Sequence, residues 1–102
     1  MTKLIVRLVI TDPLSAKETV FSTSKSDIYS PDLLEVKVLE CFEFGISKFN
    51  NDIEFLKKHS PEISILLNAD ENEALRPSFH LGKETILKLA SVGASVDFDP
   101  YV

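Results

Sequence analysis

The fold is decided by Leu81-Gly-Lys-Glu-Thr-Ile-Leu-Lys-Leu-Ala-Ser-Val-Gly-Ala-Ser-Val-Asp-Phe-Asp-Pro-Tyr101, whose pattern predicts a helix that turns directly into a strand. Ile86, Leu89 and Ala90 recur at helical spacing, and we expect Ile86 and Leu89 to face a sheet. Leu81 and Ile86 stand where a hydrophobic staple closes a first helical turn. The stretch therefore predicts one packed helix close to the C-terminal end of the sequence.

The residues after this helix predict an abrupt change to extended structure. Gly93 is the residue type that most often ends a helix in the left-handed conformation. Val96 and Phe98 then alternate with Asp97 and Asp99, which is typical of a strand with one buried face. The two aspartates should share the other face of that strand.

Length and composition indicate a single domain over residues 1–102. With 102 residues and 44% hydrophobic content, the chain is long enough to bury a core without metals or disulfides. Its one cysteine, Cys41, excludes an intramolecular disulfide, and no apolar run approaches the roughly 20 residues that cross a membrane. The start, around Lys3 and Arg7, alternates unlike a signal peptide. We therefore expect a cytoplasmic protein that does not enter a membrane.

The net charge of −5 is unevenly distributed. Residues 26–102 carry fourteen acidic and seven basic side chains, whereas residues 1–25 carry two and four. An acidic surface repels nucleic-acid phosphates and attracts basic proteins over long range. The charge therefore disfavours direct nucleic-acid binding and favours a basic protein partner.

The first part of the chain predicts two strands and a loop. Alternating apolar residues predict a strand inside a sheet, at Leu4, Val6, Leu8 and Ile10. Residues 17–23 predict a shorter strand, which we interpret as its hairpin partner. Residues 22–32 are rich in serine and predict a loop.

Residues 34–44 fit two periods. Ser30-Pro31-Asp32 is a suitable helix start. Against that, apolar residues alternate with Glu35, Lys37 and Glu43, and we expect them on one side of a strand: Val36, Val38, Phe42 and Phe44. We therefore predict a strand over 34–44, broken at Gly45, with a helix as the alternative.

The middle of the chain predicts one helix and one central strand. Ile46, Phe49, Ile53 and Leu56 recur at helical spacing, and the basic run 57–59 suits a helix C-terminus before Pro61. Residues 62–68 are apolar on both faces, which is typical of a central strand. An acidic turn over 68–75 and a short extended segment over 76–81 follow. The whole order predicts an α+β, two-layer sandwich, with a mixed, mostly antiparallel sheet, two helices on one face and a ferredoxin-like plan as the best match.

Catalytic and metal-binding patterns are weak. Asp97 and Asp99 could offer two oxygens to a hard cation, but further ligands would have to come from the acidic turn around Asp70. His59 and His80 have no partner at ligand spacing, and no glycine-rich phosphate loop or nucleophile elbow is present in the sequence. We therefore expect no enzyme activity, no cofactor and no metal.

The second half of the sequence resembles a widespread bacterial domain family of unknown function. The resemblance lies in the helix around Ile53 and Leu56, in Glu62-Ile-Ser-Ile, in Pro77-Ser-Phe-His-Leu and in the ending 93–101. It implies a fold rather than an activity, and the N-terminal half lacks the first helix and the tryptophans of that family. In size and charge the chain is also similar to immunity proteins of contact-dependent growth inhibition, which bind a cognate toxin domain, commonly a nuclease.

Two hypotheses about function follow. The first is an immunity or antitoxin-type protein that occludes the active site of a toxin nuclease; the alternative is a structural or regulatory interaction module that self-associates or binds another protein. For the first, the turn at Asp70, Glu71 and Glu73 is the preferred contact. The candidate partner-binding residues are Asp70, Glu71, Glu73, Glu62, Asp27, Glu35, Glu40 and Glu43.

Overall fold

A computed structural model describes residues 3–48, 50–68 and 80–100 of the chain. Within them four strands and three helices follow one another in the order β-β-α-α-β-α-β. The sequence pattern predicted two helices, one fewer than these residues form. The elements are β1 (Leu4–Thr11), β2 (Glu18–Ser26), α1 (Pro31–Lys48), α2 (Ile53–Lys58), β3 (Glu62–Leu67), α3 (Lys83–Ser91) and β4 (Ser95–Pro100).

The four strands form one sheet in the order β2-β1-β3-β4. β1 pairs antiparallel with both β2 and β3, and β4 joins β3 in parallel through α3. The mixed, mostly antiparallel sheet, the β1–β2 hairpin and the central place of β3 are thus confirmed. The ferredoxin-like plan is not confirmed, because that plan runs β-α-β-β-α-β and this chain opens with two consecutive strands.

The predicted strand over 34–44 is wrong, because these residues lie in α1. The residues of α1 that are buried recur at steps of four, three, one and three, which is a helical period: Leu34, Val38, Cys41, Phe42 and Gly45. Val36 and Phe44, which the alternating pattern places with Val38, are 48% and 56% exposed. Residues 34–44 thus fit a helical period as well as the alternation of a strand, and the structure follows the helical one.

The N-terminus of α1 is capped as the Ser30-Pro31 start suggested. The Ser30 hydroxyl oxygen accepts a hydrogen bond from the Leu33 amide at 3.1 Å, which satisfies one of the free donors of the first turn. Gly45 does not break the helix, since α1 continues to Lys48. Gly45 instead lies against Leu8 of β1, where an added methyl group would overlap the leucine side chain.

The predicted helix after Gly45 is only partly right. The C-terminal end of α1 and all of α2 are helical, but they are separated by Asn50 and Asn51, which both have positive φ. Asp52 then caps α2 by accepting a hydrogen bond from the Phe55 amide at 3.1 Å. The predicted loop over 22–32 is also too long, because β2 extends to Ser26.

The helix-to-strand unit at the C-terminal end is confirmed in its main features. Gly93 has a φ of +68°, and it donates to the Ala90 carbonyl while Ala94 donates to the Leu89 carbonyl. These two bonds form the Schellman motif that ends α3. The side facing the sheet differs from the prediction, however, because Ile86 is 52% exposed.

The buried side of α3 instead contains Thr85, Leu89 and Val92. These residues are separated by four and three positions, so they lie on one side of the helix. Ile86 follows Thr85 directly and is therefore rotated about 100° away from it around the helix axis. Ala90 is likewise exposed. Leu89 packs in the core as predicted.

The core lies between the helices and one face of the sheet. Leu4, Val6 and Leu8 of β1 are fully buried in it together with residues from all three helices. Ile63 and Ile65 of β3 complete the sheet side of this cluster. The described helices therefore cover a single face, which confirms the two-layer architecture. Among the described residues no helix is both long and apolar enough to cross a membrane.

We predict that Leu89→Ala lowers the free energy of unfolding by about 2 to 5 kcal/mol, because it leaves a cavity under α3. Leu87→Ala is the matched control, since Leu87 is 58% exposed on the same helix and its truncation should cost less than about 0.5 kcal/mol. Urea denaturation of both variants measures the difference. Equal losses would mean that α3 does not pack through Leu89.

Candidate functional site

Two of the candidate acidic residues, Glu40 and Glu43, lie along one exposed side of α1 with Asp32 and Val36. Because α-helical residues are separated by about 100°, positions 32, 36, 40 and 43 fall within about 80° of one another and opposite the buried side. All four are exposed. We call this surface the α1 ridge, and it consists of Asp32, Val36, Glu40 and Glu43.

The two central carboxylates of the α1 ridge are paired with lysines at its borders. Glu40 lies 3.2 Å from the Lys37 ammonium group and accepts a hydrogen bond from the Ser24 hydroxyl at 3.0 Å. The bonds from Lys37 and then Ser24 lower the pKa of the Glu40 carboxyl. Glu43 lies 3.3 Å from the Lys88 ammonium group of α3. Both glutamates remain open to solvent.

Glu35 lies on α1 outside the ridge and contacts α3. Its side chain accepts a hydrogen bond from the backbone amide of Gly82, the N-cap residue of α3. The carboxylate from α1 thus satisfies the N–H of the N-cap residue, as the third-position glutamate of a capping box does, and lies near the positive end of α3. Glu35 is half-buried in this position. The structure assigns it to holding α1 and α3 together.

The remaining candidates are scattered. Asp27 is exposed at the bend between β2 and α1. Glu62 is half-buried on β3, and its register with Val9 places it on the sheet face opposite the helices. The preferred contact turn lies outside the described residues, as do its acids Asp70, Glu71 and Glu73. The structure thus brings Glu40 and Glu43 together and separates both from Glu62.

An aromatic and basic cluster borders the α1 ridge on the β2 side. The Lys48 ammonium group lies 4.8 Å from the Phe44 ring centre and 5.3 Å from that of Phe21. It also donates a hydrogen bond to the Phe21 carbonyl at 2.9 Å. Sequence reasoning missed Val36 and Phe44 as surface residues because it assigned them to the buried side of a strand. Reading 31–48 with a helical period would have placed both on the exposed side.

A shallow cleft runs along the other border of the α1 ridge, between α1 and α3. Its volume is about 410 Å³. Leu39 and Glu35 line it from α1, and the first two turns of α3 contribute the rest of its wall, including Lys83, Thr85 and Lys88. Both acidic and basic side chains line the cleft, so it is a concave surface beside the ridge with no excess of either charge.

His59 and Cys41 both contact neighbouring groups of the fold. His59 stacks on Phe55 with ring centres 3.9 Å apart, and its Nδ1 lies 2.7 Å from the Phe55 carbonyl. Cys41 is buried, which raises the pKa of its thiol, and its sulfur lies 3.3 Å from the Ser22 hydroxyl. Within residues 3–48, 50–68 and 80–100, no three His, Cys, Asp or Glu side chains are grouped to hold a metal. The α1 ridge and Phe44 beside it form a surface of charged and exposed apolar side chains.

We predict that Glu35→Ala destabilises the fold by about 1 to 2 kcal/mol, because the Gly82 amide loses its acceptor. Glu43→Ala removes a carboxylate from the same helix, but its exposed pair with Lys88 should contribute less than about 1 kcal/mol. Thermal unfolding of the two variants separates the cases. A Glu35→Ala protein as stable as Glu43→Ala would show that the cap does not stabilise α3.

Comparison of the chain with known protein families, with characterised proteins and with solved structures finds no match. The resemblances to a bacterial domain family and to immunity proteins therefore stay predictions from the sequence.

Proposed function

We propose that this protein is a binding protein of the immunity or antitoxin type, which neutralises a basic toxin domain, most simply a nuclease, from within the cytoplasm. The observation that carries the proposal is the α1 ridge, where three carboxylates share one exposed side of a long helix with the apolar Val36 between them. A regular helix holds these groups in a fixed arrangement, and a fixed arrangement reduces the entropy lost on binding.

The ion pairs of the α1 ridge are compatible with exchange for a partner's charges. Glu40 and Glu43 have side chains that are 52% and 63% exposed, and each pairs with a lysine at more than 3 Å. Exposed pairs of this kind contribute between 0 and about 1 kcal/mol, so little is lost when an arginine or lysine of a partner replaces Lys37 or Lys88. The acidic ridge is thus available although it is formally paired.

Apolar groups around the carboxylates would supply the contact area that charges alone lack. Val36 lies within the ridge and Phe44 lies beside it, and both are about half exposed. Interfaces gain most of their affinity from a few desolvated apolar or aromatic anchors, while surrounding charges set orientation and association rate. The combination suits a protein partner better than a small molecule.

The proposed mechanism is occlusion. A nuclease binds phosphates with basic side chains, and carboxylates on a rigid helix can occupy the same basic groups. The toxin domain would then lose access to RNA or DNA without any covalent change. The acidic character of the whole chain, with a net charge of −5, would speed the encounter at low ionic strength.

We predict that Glu40→Lys combined with Glu43→Lys weakens binding at least about tenfold at low salt, mainly through slower association. The probe is the purified nuclease-like domain of a toxin encoded beside the gene for this chain, titrated at low and high salt. Glu54→Lys combined with Asp52→Asn changes three charge units at α2 and its N-cap, against four in the ridge variant, and is the control for net charge; asparagine keeps the capping acceptor.

The same variants test the biological claim. Co-expression of the unaltered protein should restore growth to cells that produce the toxin domain, and the ridge variant should restore it less well than the α2 variant. Unaltered binding by the ridge variant, with the same dependence on salt, would remove α1 from the interface. Failure of the unaltered protein to bind the domain or protect the cells would contradict the immunity function for this toxin.

A further inference from the structure

The sheet face opposite the helices has an ordered pattern of side chains. Because successive side chains point to opposite faces, the residues of β1 that alternate with its buried leucines and valine belong to this second face. Ile5 and Val9 of β1 and Leu66 of β3 lie there and are half-buried, yet none belongs to the hydrophobic core or packs against it. We call this surface the open face, and it is partly apolar at its centre.

The charges of the open face are divided between its two sides. The strand registers align one row across the sheet in the order Lys25, Ile5, Leu66, Asp99. Lys25 on β2 and Asp99 on β4 are both exposed, and three strand spacings, about 14 Å, separate them. They are too far apart to form a pair within one molecule. The row is therefore basic at one end, apolar in the middle and acidic at the other end.

The next row also has its acidic residue on the outer strand β4, but its basic residue lies on β1. It runs Thr23, Arg7, Ser64, Asp97. The Arg7 Nε is buried and has no hydrogen-bond acceptor within the described part of the chain. A buried guanidinium nitrogen without an acceptor is costly, so a second surface that brings an oxygen to Arg7 would gain a hydrogen bond.

A two-fold rotation makes the first row complementary to itself. If the axis runs parallel to the strands and passes between β1 and β3, a second copy places its β4 over β2 and its β3 over β1. Lys25 then faces Asp99 of the second copy, and Ile5 faces Leu66 of the second copy. Each contact occurs twice, as in any interface of this symmetry. A two-fold axis perpendicular to the strands would instead bring Lys25 over β2 of the second copy.

We propose that the open face binds a second copy of this chain, so that the protein forms a symmetric dimer with the two sheets packed face to face. Sheets stack about 10 Å apart with roughly aligned strands, which lets side chains from both faces meet. Four strands of about six residues give a contact roughly 20 Å on a side, at the low end of interface sizes, so the dimer should be reversible. The α1 ridge stays on the outside of both copies.

Association through the edge strand β2 is less suitable. The pairing of β2 with β1 shifts at Phe21, because Leu8 pairs with Ser22 and Val9 pairs with Val20, which is a bulge. The Phe21 carbonyl is already bonded to the Lys48 ammonium group. Bulges and lysines on an edge strand are the features that obstruct the addition of another strand. The sheet face, rather than this edge, is therefore the surface for self-association.

Two charge reversals and their mixture test the dimer by sedimentation velocity over a concentration series. Lys25→Glu makes both ends of the first row acidic, and Asp99→Lys makes both ends basic, so each variant alone should dimerise about tenfold more weakly. An equimolar mixture should restore the dimer, because each remaining contact then joins opposite charges. Both positions are exposed on outer strands, and circular dichroism checks that the variants fold.

Glu54→Lys, on α2 and far from the open face, is the matched control and should leave the association unchanged. Raising the salt concentration should weaken the dimer of the unaltered protein and that of the mixture alike. A protein that stays monomeric throughout the concentration series overturns the proposal. So does a mixture that associates no more tightly than either variant alone. Neither result bears on the α1 ridge, because the toxin titration measures that surface separately.

Discussion

The rest of the structure depends on the close contact between α1 and the β1–β2 hairpin. Gly45 permits it, since the helix backbone lies directly over Leu8 with no room for a side chain between them. Ser22 of β2 is buried in the same contact, and its hydroxyl donates to the Cys41 carbonyl at 2.8 Å, so this buried hydroxyl has an acceptor. An 18-residue helix is thereby fixed in its rotation over the sheet. Its buried side, its border with α3 and its exposed ridge all follow from that one orientation.

The orientation of α1 also explains why carboxylates that are close in sequence have different roles. Glu35 lies on the border with α3 and caps Gly82, whereas Glu40 and Glu43 lie further around the helix and face solvent. A rotation of one residue, about 100°, would exchange these environments. The division between a structural carboxylate and surface carboxylates is thus a consequence of packing, not of residue type.

The sequence predicted the strands and the last helix well because their signals are local. Alternation identified β1 and β4, a short run that is apolar on both faces identified β3, and Gly93 identified the end of α3. The prediction failed for 34–44, where two periods coexist and the choice depends on Leu8 and Ser22, which are far away in the chain. The same error affected the prediction of the candidate site. Without the helical period, Glu40 and Glu43 could not be placed on one surface with Val36, and Glu35 could not be recognised as a cap.

Apolar side chains also lie on the sheet face opposite the described helices. An antiparallel strand with one solvated face usually alternates apolar and polar residues, yet β1 carries Ile5 and Val9 on the face opposite the described helices, and β3 carries Leu66 there. The apolar residues that marked both strands as central are the same residues on which the proposed second contact rests. Position inside a sheet accounts for hydrogen-bonded neighbours on both edges, but it does not account for apolar side chains on both faces. A second surface on this face would make that composition stabilising, and Lys25 and Asp99 at the two ends of one row favour a surface with the reverse order of charges, which a two-fold copy of the same sheet has.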